Sequence, residues 1–147
     1  MKNCLISVEC AIEHDGKLLI IKRPAGKLGQ GLLSFPGGGV EEYDDHGDML
    51  RSAAKREVFE EVGLKIEDPL EYITSNYFIN GNGSHVIHTL FYCVLKKTNP
   101  KIIASKSEVP EYFWMTQEEI NSAQNAPAWL KNYVNRINNL DPRSSLG

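Results

Sequence analysis

The segment at residues 48–62 carries a clear helix pattern, and it constrains the fold on both sides. Asp48 is a residue type that caps helix N-termini, Ala53 and Ala54 favour helix, and Gly63 is typical of a helix end. Strand-like segments precede and follow this helix in the sequence. The chain must therefore combine helices with a β-sheet.

The strands are predicted from apolar, partly β-branched runs. Two hairpins are expected, at Asp15-Gly16 and at Asn80–Gly83, because each of these turn sequences separates two such runs. The glycine-rich stretch from Gly26 to Gly39 is expected to be mainly loop, with one short strand in it. The predicted strands are 4–14, 17–22, 32–35, 70–79, 85–95, 102–103 and 112–115.

Two further helices are predicted near the C-terminal end. Thr116 begins the first, with Glu118 and Glu119 in its first turn, where the helix dipole favours acids. The second begins near Asn125, with Pro127 in its first turn. It carries an apolar stripe at helical spacing: Leu130, Tyr133, Val134, Ile137 and Leu140. We interpret this stripe as a face that docks on the core, the alternative being a dimer contact.

The predicted order is therefore strands, helix, strands, helix, helix. This order indicates an α+β protein in which helices pack on a mixed sheet. At 147 residues the chain has the length of one domain, which we place at residues 1–141, followed by a frayed tail at 142–147.

The composition excludes several classes of protein. No apolar run approaches the roughly 20 residues of a membrane span, and Glu9 comes too early for a signal peptide. Cys4, Cys10 and Cys93 are too few and too scattered for a zinc cluster or a disulfide framework, so we expect reduced, strand-borne side chains. The clustered positive charge of a nucleic-acid groove is also missing. We expect a soluble, cytoplasmic protein that binds neither nucleic acid nor membranes.

Acidic side chains concentrate in one part of the chain. Residues 41–68 carry ten acidic and four basic residues, although the net charge of the whole chain is only −3. Glu57, Glu60 and Glu61 stand at i, i+3 and i+4, so a helix places all three carboxylates on one face. The glycines at 37–39 free a neighbouring backbone segment to approach a ligand. Carboxylates beside such a loop suit oxygen-ligated Mg²⁺.

These residues lie in a pattern that resembles the signature of the Nudix hydrolases, G-x5-E-x7-R-E-U-x-E-E-x-G-U, where U is a bulky apolar residue. The second half is matched at every fixed position: Arg56, Glu57, Val58, Glu60, Glu61, Gly63 and Leu64. The run Phe35-Pro36-Gly37-Gly38 also resembles the family's usual entry to this segment. The resemblance implies an α/β/α sandwich with the signature as strand–loop–helix–loop, which agrees with the predicted order of elements.

The first half of the signature departs from the family pattern. Asp48 stands where the second half of the pattern places a glutamate, and nine residues rather than five separate it from Gly38. One alignment treats Tyr43–His46 as a four-residue insertion. The other uses Asp44 as the acid and lengthens the helix by about one turn, which would put Gly47 inside it. The three central glutamates are the same in both alignments.

The resemblance implies hydrolysis of a nucleoside diphosphate linked to another group, with Mg²⁺, or Mn²⁺ as its substitute, activating water for attack on phosphorus. Its metal ligands would be Glu57, Glu60, Glu61 and a backbone carbonyl, most plausibly that of Gly37. The general base is left open between Glu60, Glu108 and Glu111. The other catalytic or substrate-binding candidates are Arg56, which could hold Glu60 or reach a phosphate, and Arg23, Gly38 and Gly39.

The resemblance also bears on the choice of substrate. Short single-domain members of the family often act on nucleoside triphosphates, which is the preferred expectation here. Tyr77, Phe78, Phe113 and Trp114 could stack on a base, although each is more often a core residue. The competing hypothesis is a Nudix-like domain that binds a nucleotide as a sensor or scaffold, but such a module has no need of the complete charged set. We expect a small-molecule nucleotide partner and either a monomer or a homodimer.

Overall fold

The structure, a computed structural model, describes residues 3–140, so the predicted tail at 142–147 lies outside the described residues. The strands are β1 (Cys4–His14), β2 (Lys17–Lys22), β3 (Leu33–Ser34), β4 (Gly37–Gly39), β5 (Glu71–Ile79), β6 (His85–Val94) and β7 (Glu111–Met115). The helices are α1 (Met49–Val62), α2 (Gln117–Ser122) and α3 (Ala128–Leu140). Within these residues, no helix is both long and apolar enough to span a bilayer.

The strands of the described region form one mixed sheet. Its main order is β3-β2-β1-β6-β5, with β4 paired to β1 and β7 paired to β2. The β1–β6 pair is parallel, whereas the other pairs are antiparallel. β1 is therefore the central strand. Along the same edge of β1, residues 7–9 pair with β4 and residues 13–14 pair with β2.

Helices cover both faces of this sheet. On one face, α1 packs through Ala53, Ala54, Val58 and Val62 on alternate residues of β1 and β6. On the other face, the stripe of α3 packs through Leu130, Tyr133, Val134 and Ile137, and Leu140 remains exposed. The α+β sandwich is thereby confirmed. Cys10 and Cys93 are buried free thiols, as predicted, with their sulfurs 3.9 Å apart.

Local sequence signals explain most element boundaries. Asp15 and Gly16 turn the first hairpin with φ values of 50° and 74°, the left-handed region that this tight turn needs. Gly63 ends α1 at φ 73°, and its N–H donates to the carbonyl of Phe59 at 3.0 Å. Thr116 and Glu119 form a reciprocal capping box at the start of α2. The predicted hairpins and helix ends are confirmed at these positions.

Two expectations about strands were wrong. Residues 102–103 form no strand, because Ile103 N–H bonds to the carbonyl of Val62 at the end of α1. Conversely, Gly37–Gly39 was expected to be loop but forms β4. Three glycines carry no strand propensity, so this pairing depends on the neighbouring β1 backbone rather than on local sequence.

Candidate active site

The contact between α1 and β4 depends on glycine. Gly37 pairs with Glu9 and Gly38 with Val8 in the antiparallel β1–β4 ladder. A Cβ atom at Gly37 would lie 2.1 Å from the Val8 carbonyl oxygen, and one at Gly38 would lie 2.5 Å from the Glu57 carboxylate. Since real Cβ atoms do not approach so closely, only glycine allows the glutamates of α1 to lie against this backbone.

Glu61 lies at the centre of this contact. Its Oε1 accepts a hydrogen bond from the Gly37 N–H at 2.8 Å. The pKa of the Glu61 carboxyl is raised to about 8, chiefly because burial disfavours the charged form. The negative charges of Glu57 and Glu108 act in the same direction, whereas the Gly37 N–H and the Arg23 guanidinium favour the ionised form. Carboxylates from α1 and from the loop before β7 are therefore close enough to repel each other.

Glu57 and Glu60 share one partner, Arg56. The guanidinium donates from Nη1 to Glu57 Oε1 at 2.9 Å and to Glu60 Oε2 at 3.3 Å. Burial raises the pKa of the Glu57 carboxyl, as do the charges of Glu60 and Glu108, while Arg56 lowers it. The Glu60 side chain is 48% exposed and lies nearest to solvent of the three. The expected i, i+4 contact between Arg56 and Glu60 is confirmed.

Arg56 is held on its other side by the loop before α1. Its Nε and Nη2 donate to the two carboxylate oxygens of Asp44 at 2.7 and 3.0 Å, and Nη2 also donates to the Gly39 carbonyl at 2.9 Å. The Tyr43 ring lies 5.1 Å from the guanidinium carbon. These hydrogen bonds lower the pKa of the Asp44 carboxyl and raise that of Arg56.

This arrangement bears on the two alignments of the signature. Asp44 follows Gly38 at the family spacing and is buried against Arg56. Asp48 occupies the N-cap position of α1 but makes no side-chain capping bond, and it faces only Arg51 at 3.7 Å. Because α1 begins at Met49, Gly47 stays outside the helix. Asp44, and not Asp48, is therefore the acid that contacts the signature arginine.

A cleft of about 1390 Å³ opens beside these residues. Glu61, Glu108 and Arg23 line it together with the β4 glycines. Glu111, the third candidate base, is not among the lining residues and pairs instead with Lys22 on the β2–β7 ladder, at 3.5 Å. The structure thus brings Arg23 and Glu108 to the acidic cluster and leaves Glu111 outside it.

The residues present fit a divalent cation that is completed by other oxygens. In the part of the chain that the structure describes, no three His, Cys, Asp or Glu side chains converge closely enough to hold a metal ion by themselves. Mg²⁺, however, commonly uses one or two carboxylates together with water and substrate phosphates. A cation here would also relieve the repulsion that raises the pKa values of Glu57 and Glu61. Carboxylate oxygens are the donor type that both Mg²⁺ and Mn²⁺ accept.

The same cleft holds a polar pair, Glu9 and His88, that sequence reasoning did not connect. Glu9 is only 5% exposed, and its Oε2 accepts a hydrogen bond from His88 Nε2 at 2.5 Å. Asn76 donates to the Tyr133 hydroxyl at 2.9 Å in the same cleft. The available signal was an acid at position 9 inside an otherwise apolar strand. Its partner lies 79 residues away, and no local pattern identifies it.

Comparisons with known proteins agree with this fold. Residues 6–137 match the family model described as the NUDIX domain. Nudix hydrolase 2 of Arabidopsis thaliana is 31% identical over 111 residues, which are 74% of this chain and 37% of that protein. CTP pyrophosphohydrolase of Escherichia coli (strain K12) is 39% identical over 69 residues, 47% of each chain. The matched regions thus span less than half the length of these two relatives.

A solved structure extends the agreement to the whole described fold. The crystal structure of the MutT protein from Methanosarcina mazei Go1 superimposes with a TM-score of 0.77, covering 95% of this chain and 97% of that one. At 23% identity this likeness shows the fold alone. The family model, by contrast, covers the signature segment and most of the sequence on either side of it. The chain therefore belongs to the Nudix family.

Proposed function

We propose that this protein is a nucleotide pyrophosphohydrolase that cleaves a phosphoric anhydride bond in a nucleoside diphosphate derivative, with nucleoside triphosphates preferred. The observation that carries the proposal is the contact of Glu57 and Glu61 with the β4 backbone, beside a cleft large enough for a nucleotide that Glu108 also lines. Repelling carboxylates in a cleft are costly without a cation. A polyphosphate substrate would bring such a cation with it.

Glu57, Glu60, Glu61 and the Gly37 carbonyl would be the ligands of Mg²⁺, with Mn²⁺ as a substitute, each ion using one or two of the carboxylates and completing its ligands with water and substrate phosphate. When bound, the metal would neutralise substrate charge and lower the pKa of an attacking water. The protein's own contribution is position: Arg56 holds Glu57 and Glu60, and the Gly37 N–H holds Glu61. Glu61 must lose its proton to serve as a ligand, so binding of the cation would release a proton near neutral pH.

Glu108 is the general base that the geometry favours. It lines the cleft and lies close enough to Glu57 and Glu61 to influence both pKa values. Glu60 would then act as a ligand, and Glu111 would remain a structural partner of Lys22. Arg23 lines the same cleft and would bind a substrate phosphate, with Gly38 and Gly39 offering a backbone that phosphate can approach.

The named relatives support the triphosphate preference. One of the two is a CTP pyrophosphohydrolase. We therefore expect a free small-molecule nucleotide as the substrate. A nucleic-acid or membrane partner is not part of this proposal, and neither is a particular oligomeric state.

A panel of nucleotides tests the proposal. We expect the wild type to release phosphate or pyrophosphate from nucleoside triphosphates only when Mg²⁺ or Mn²⁺ is present. Glu61→Gln and Glu108→Gln should each lower kcat by about 10²-fold or more, whereas Glu111→Gln and Glu67→Gln, an exposed site after α1, should remain near wild type. Nucleotide binding without turnover in the wild type would instead identify a non-catalytic sensor or scaffold.

A further inference from the structure

The cleft contains a partly buried hydrogen-bonded chain that the proposed hydrolysis does not use. Ser7 Oγ lies 2.6 Å from His88 Nδ1, and His88 Nε2 lies 2.5 Å from Glu9 Oε2. With the neutral imidazole protonated at Nε2, Ser7 donates to His88 and His88 donates to Glu9. All three residues line the cleft. The chain therefore ends on the Glu9 carboxylate, which is held in position by His88 of the neighbouring strand β6.

One oxygen of this carboxylate has no hydrogen-bond partner. Among the buried side-chain nitrogens and oxygens of residues 3–140, Glu9 Oε1 alone has no hydrogen-bond partner. Leaving a buried acceptor unpaired is unfavourable, and more so when it carries charge. An ionised carboxylate has no proton to donate, so the group that would satisfy Oε1 must be a hydrogen-bond donor.

The surroundings of Glu9 suit a flat heterocycle. Phe78 and Trp129 line the cleft and are 44% and 38% exposed, so part of each ring is open to contact with a base. The Tyr133 ring stacks on the ring of His88, the partner of Glu9, with centroids 6.4 Å apart. Burial raises the pKa of Tyr133, and the charge of Glu9 acts in the same direction. Because the Tyr133 oxygen accepts a hydrogen bond from Asn76, its own proton is free to be donated. The free acceptor and the free donor therefore belong to one connected group, in which Phe78 contacts the His88 ring at 6.3 Å and Trp129 contacts the Tyr133 ring at 6.0 Å between centroids.

We propose that Glu9 selects substrates whose base carries an exocyclic amino group. This inference rests on the proposed nucleotide hydrolysis and deepens it by naming the class of base. An amino N–H would donate to Glu9 Oε1, and the ring nitrogen beside the amino group would accept from the Tyr133 hydroxyl. A base with a carbonyl oxygen at that position would place two acceptors against each other. His88 and Ser7 are positioning residues, since they act on the base only through Glu9.

Two pairs of nucleotides, each differing only in the amino or oxo group of the base, test this selection in the wild type. CTP and UTP differ at position 4 by amino against oxo, and ATP and ITP differ in the same way at position 6. We expect kcat/KM to favour the amino base by about 10- to 100-fold in at least one of these pairs. Equal values in both pairs, or a preference for the oxo base, would overturn the proposal.

Glu9→Gln tests the residue itself. The amide oxygen can still accept from His88, while the amide nitrogen would present a donor where Oε1 stood. The amino preference should then fall at least about tenfold or reverse, because the new donor suits a carbonyl oxygen. If Glu9 only supported the fold, the substitution would lower kcat/KM equally for both nucleotides of a pair. That result would contradict the proposal. Glu13→Gln is the matched control, since Glu13 is an equally buried acid on β1 that bonds to Tyr92 outside the cleft.

Binding of the monophosphates separates this inference from the proposed function. CMP against UMP and AMP against IMP, titrated without divalent cation, should differ in Kd in at least one pair in the wild type, and this difference should be lost in Glu9→Gln. If that difference appears while no nucleotide is hydrolysed, the base selection stands and the hydrolase assignment fails. If nucleotides are hydrolysed but each amino base and its oxo counterpart are bound and cleaved alike, the base selection fails by itself.

Discussion

Gly38 shows how little room the candidate site leaves. A Cβ atom at this position would lie 2.5 Å from the Glu57 carboxylate, whereas one at Gly39 would meet no atom within 4 Å. We expect Gly38→Ala to push Glu57 from its position and to lower kcat/KM by about 10²-fold, since small displacements at such sites are costly. The measurement is steady-state kinetics with Mg²⁺, together with a thermal melt to confirm folding.

Gly39→Ala is the matched comparison for this substitution. Its effect should be much smaller, because the added methyl group has space and the Gly39 carbonyl can still accept from Arg56. Equal losses in the two variants would mean that the glycines matter for backbone freedom and not for the approach of Glu57.

Glu61 predicts an unusual pH dependence of stability. Its pKa is raised from 4.5 to about 8 in the folded protein, mainly by burial, so the folded state binds a proton more tightly than the unfolded state. Without divalent cations, the free energy of unfolding should therefore be highest below about pH 4.5 as far as this group is concerned. It should fall as pH rises towards 8, by a few kcal/mol at most. The shift at Glu57 has the same sign.

Thermal melts in chelator between pH 5 and pH 8 measure this effect. Glu61→Gln should flatten the slope and melt above the wild type at pH 8, because it removes the buried negative charge. Adding Mg²⁺ should raise the melting temperature of the wild type most at pH 8, where the carboxylate is most available. A wild-type slope unchanged by Glu61→Gln would assign the pH dependence to another group.

At the scale of elements, the loop before α1 acts as a clamp on the helix. Asp44 accepts two hydrogen bonds from Arg56, and its side chain is 2% exposed, whereas Asp48 makes only a long, exposed contact with Arg51. We expect Asp44→Ala to lower the free energy of unfolding by about 2 kcal/mol, since it removes charged hydrogen bonds from a largely buried guanidinium. Asp48→Ala should change it by less than about 0.5 kcal/mol.

Denaturant unfolding of the two variants under the same conditions distinguishes them. Asp44→Ala should also lower kcat, because Arg56 would be free to turn away from Glu57 and Glu60. If Asp48→Ala were the more damaging substitution, the capping position and not the clamp would be the role of the first acid in this chain.

Elements were predictable where short-range chemistry determines them. The Asp15-Gly16 turn, the Gly63 helix end and the Thr116 cap each act within a few residues, so the sequence identified them correctly. β4 was missed because its glycines form a strand only through pairing with β1. Residues 102–103 were wrongly predicted as a strand because their backbone instead bonds to the end of α1.

The residues of the candidate site were likewise predictable only where short-range spacing brings them together. Glu57, Glu60 and Glu61 were found together because helical spacing alone places them on one face. The pairing of Asp44 with Arg56 spans a loop whose course no local pattern specifies. The Glu9–His88 pair joins parallel strands that are 79 residues apart, so it appears only once the sheet is assembled.

At the scale of the whole molecule, the cleft draws on both layers of the sandwich. Glu61 reaches it from α1 on one face of the sheet, while Trp129 and Tyr133 reach it from α3 on the other. β4, which pairs with β1, lines the same cleft. Docking of α3 should therefore affect substrate binding as well as stability.

Leu130 and Leu140 test this dependence. Leu130 is fully buried in the core beneath α3, whereas Leu140 is 55% exposed at the end of the same helix. Leu130→Ala should lower the free energy of unfolding by about 2–5 kcal/mol through the cavity it creates, and Leu140→Ala by less than about 0.5 kcal/mol. Because a loosened α3 displaces Trp129 and Tyr133, Leu130→Ala should also raise KM more than it lowers kcat.

Measurement of molecular mass in solution completes this test. The buried residues of the α3 stripe pack against the core of the same chain. Neither substitution should therefore change the mass that light scattering reports. If Leu140→Ala instead halved the mass, the exposed end of α3 would be a contact between two copies. The loss of stability in Leu130→Ala would then have to be separated into folding and association by repeating the unfolding at several protein concentrations, since only association depends on concentration.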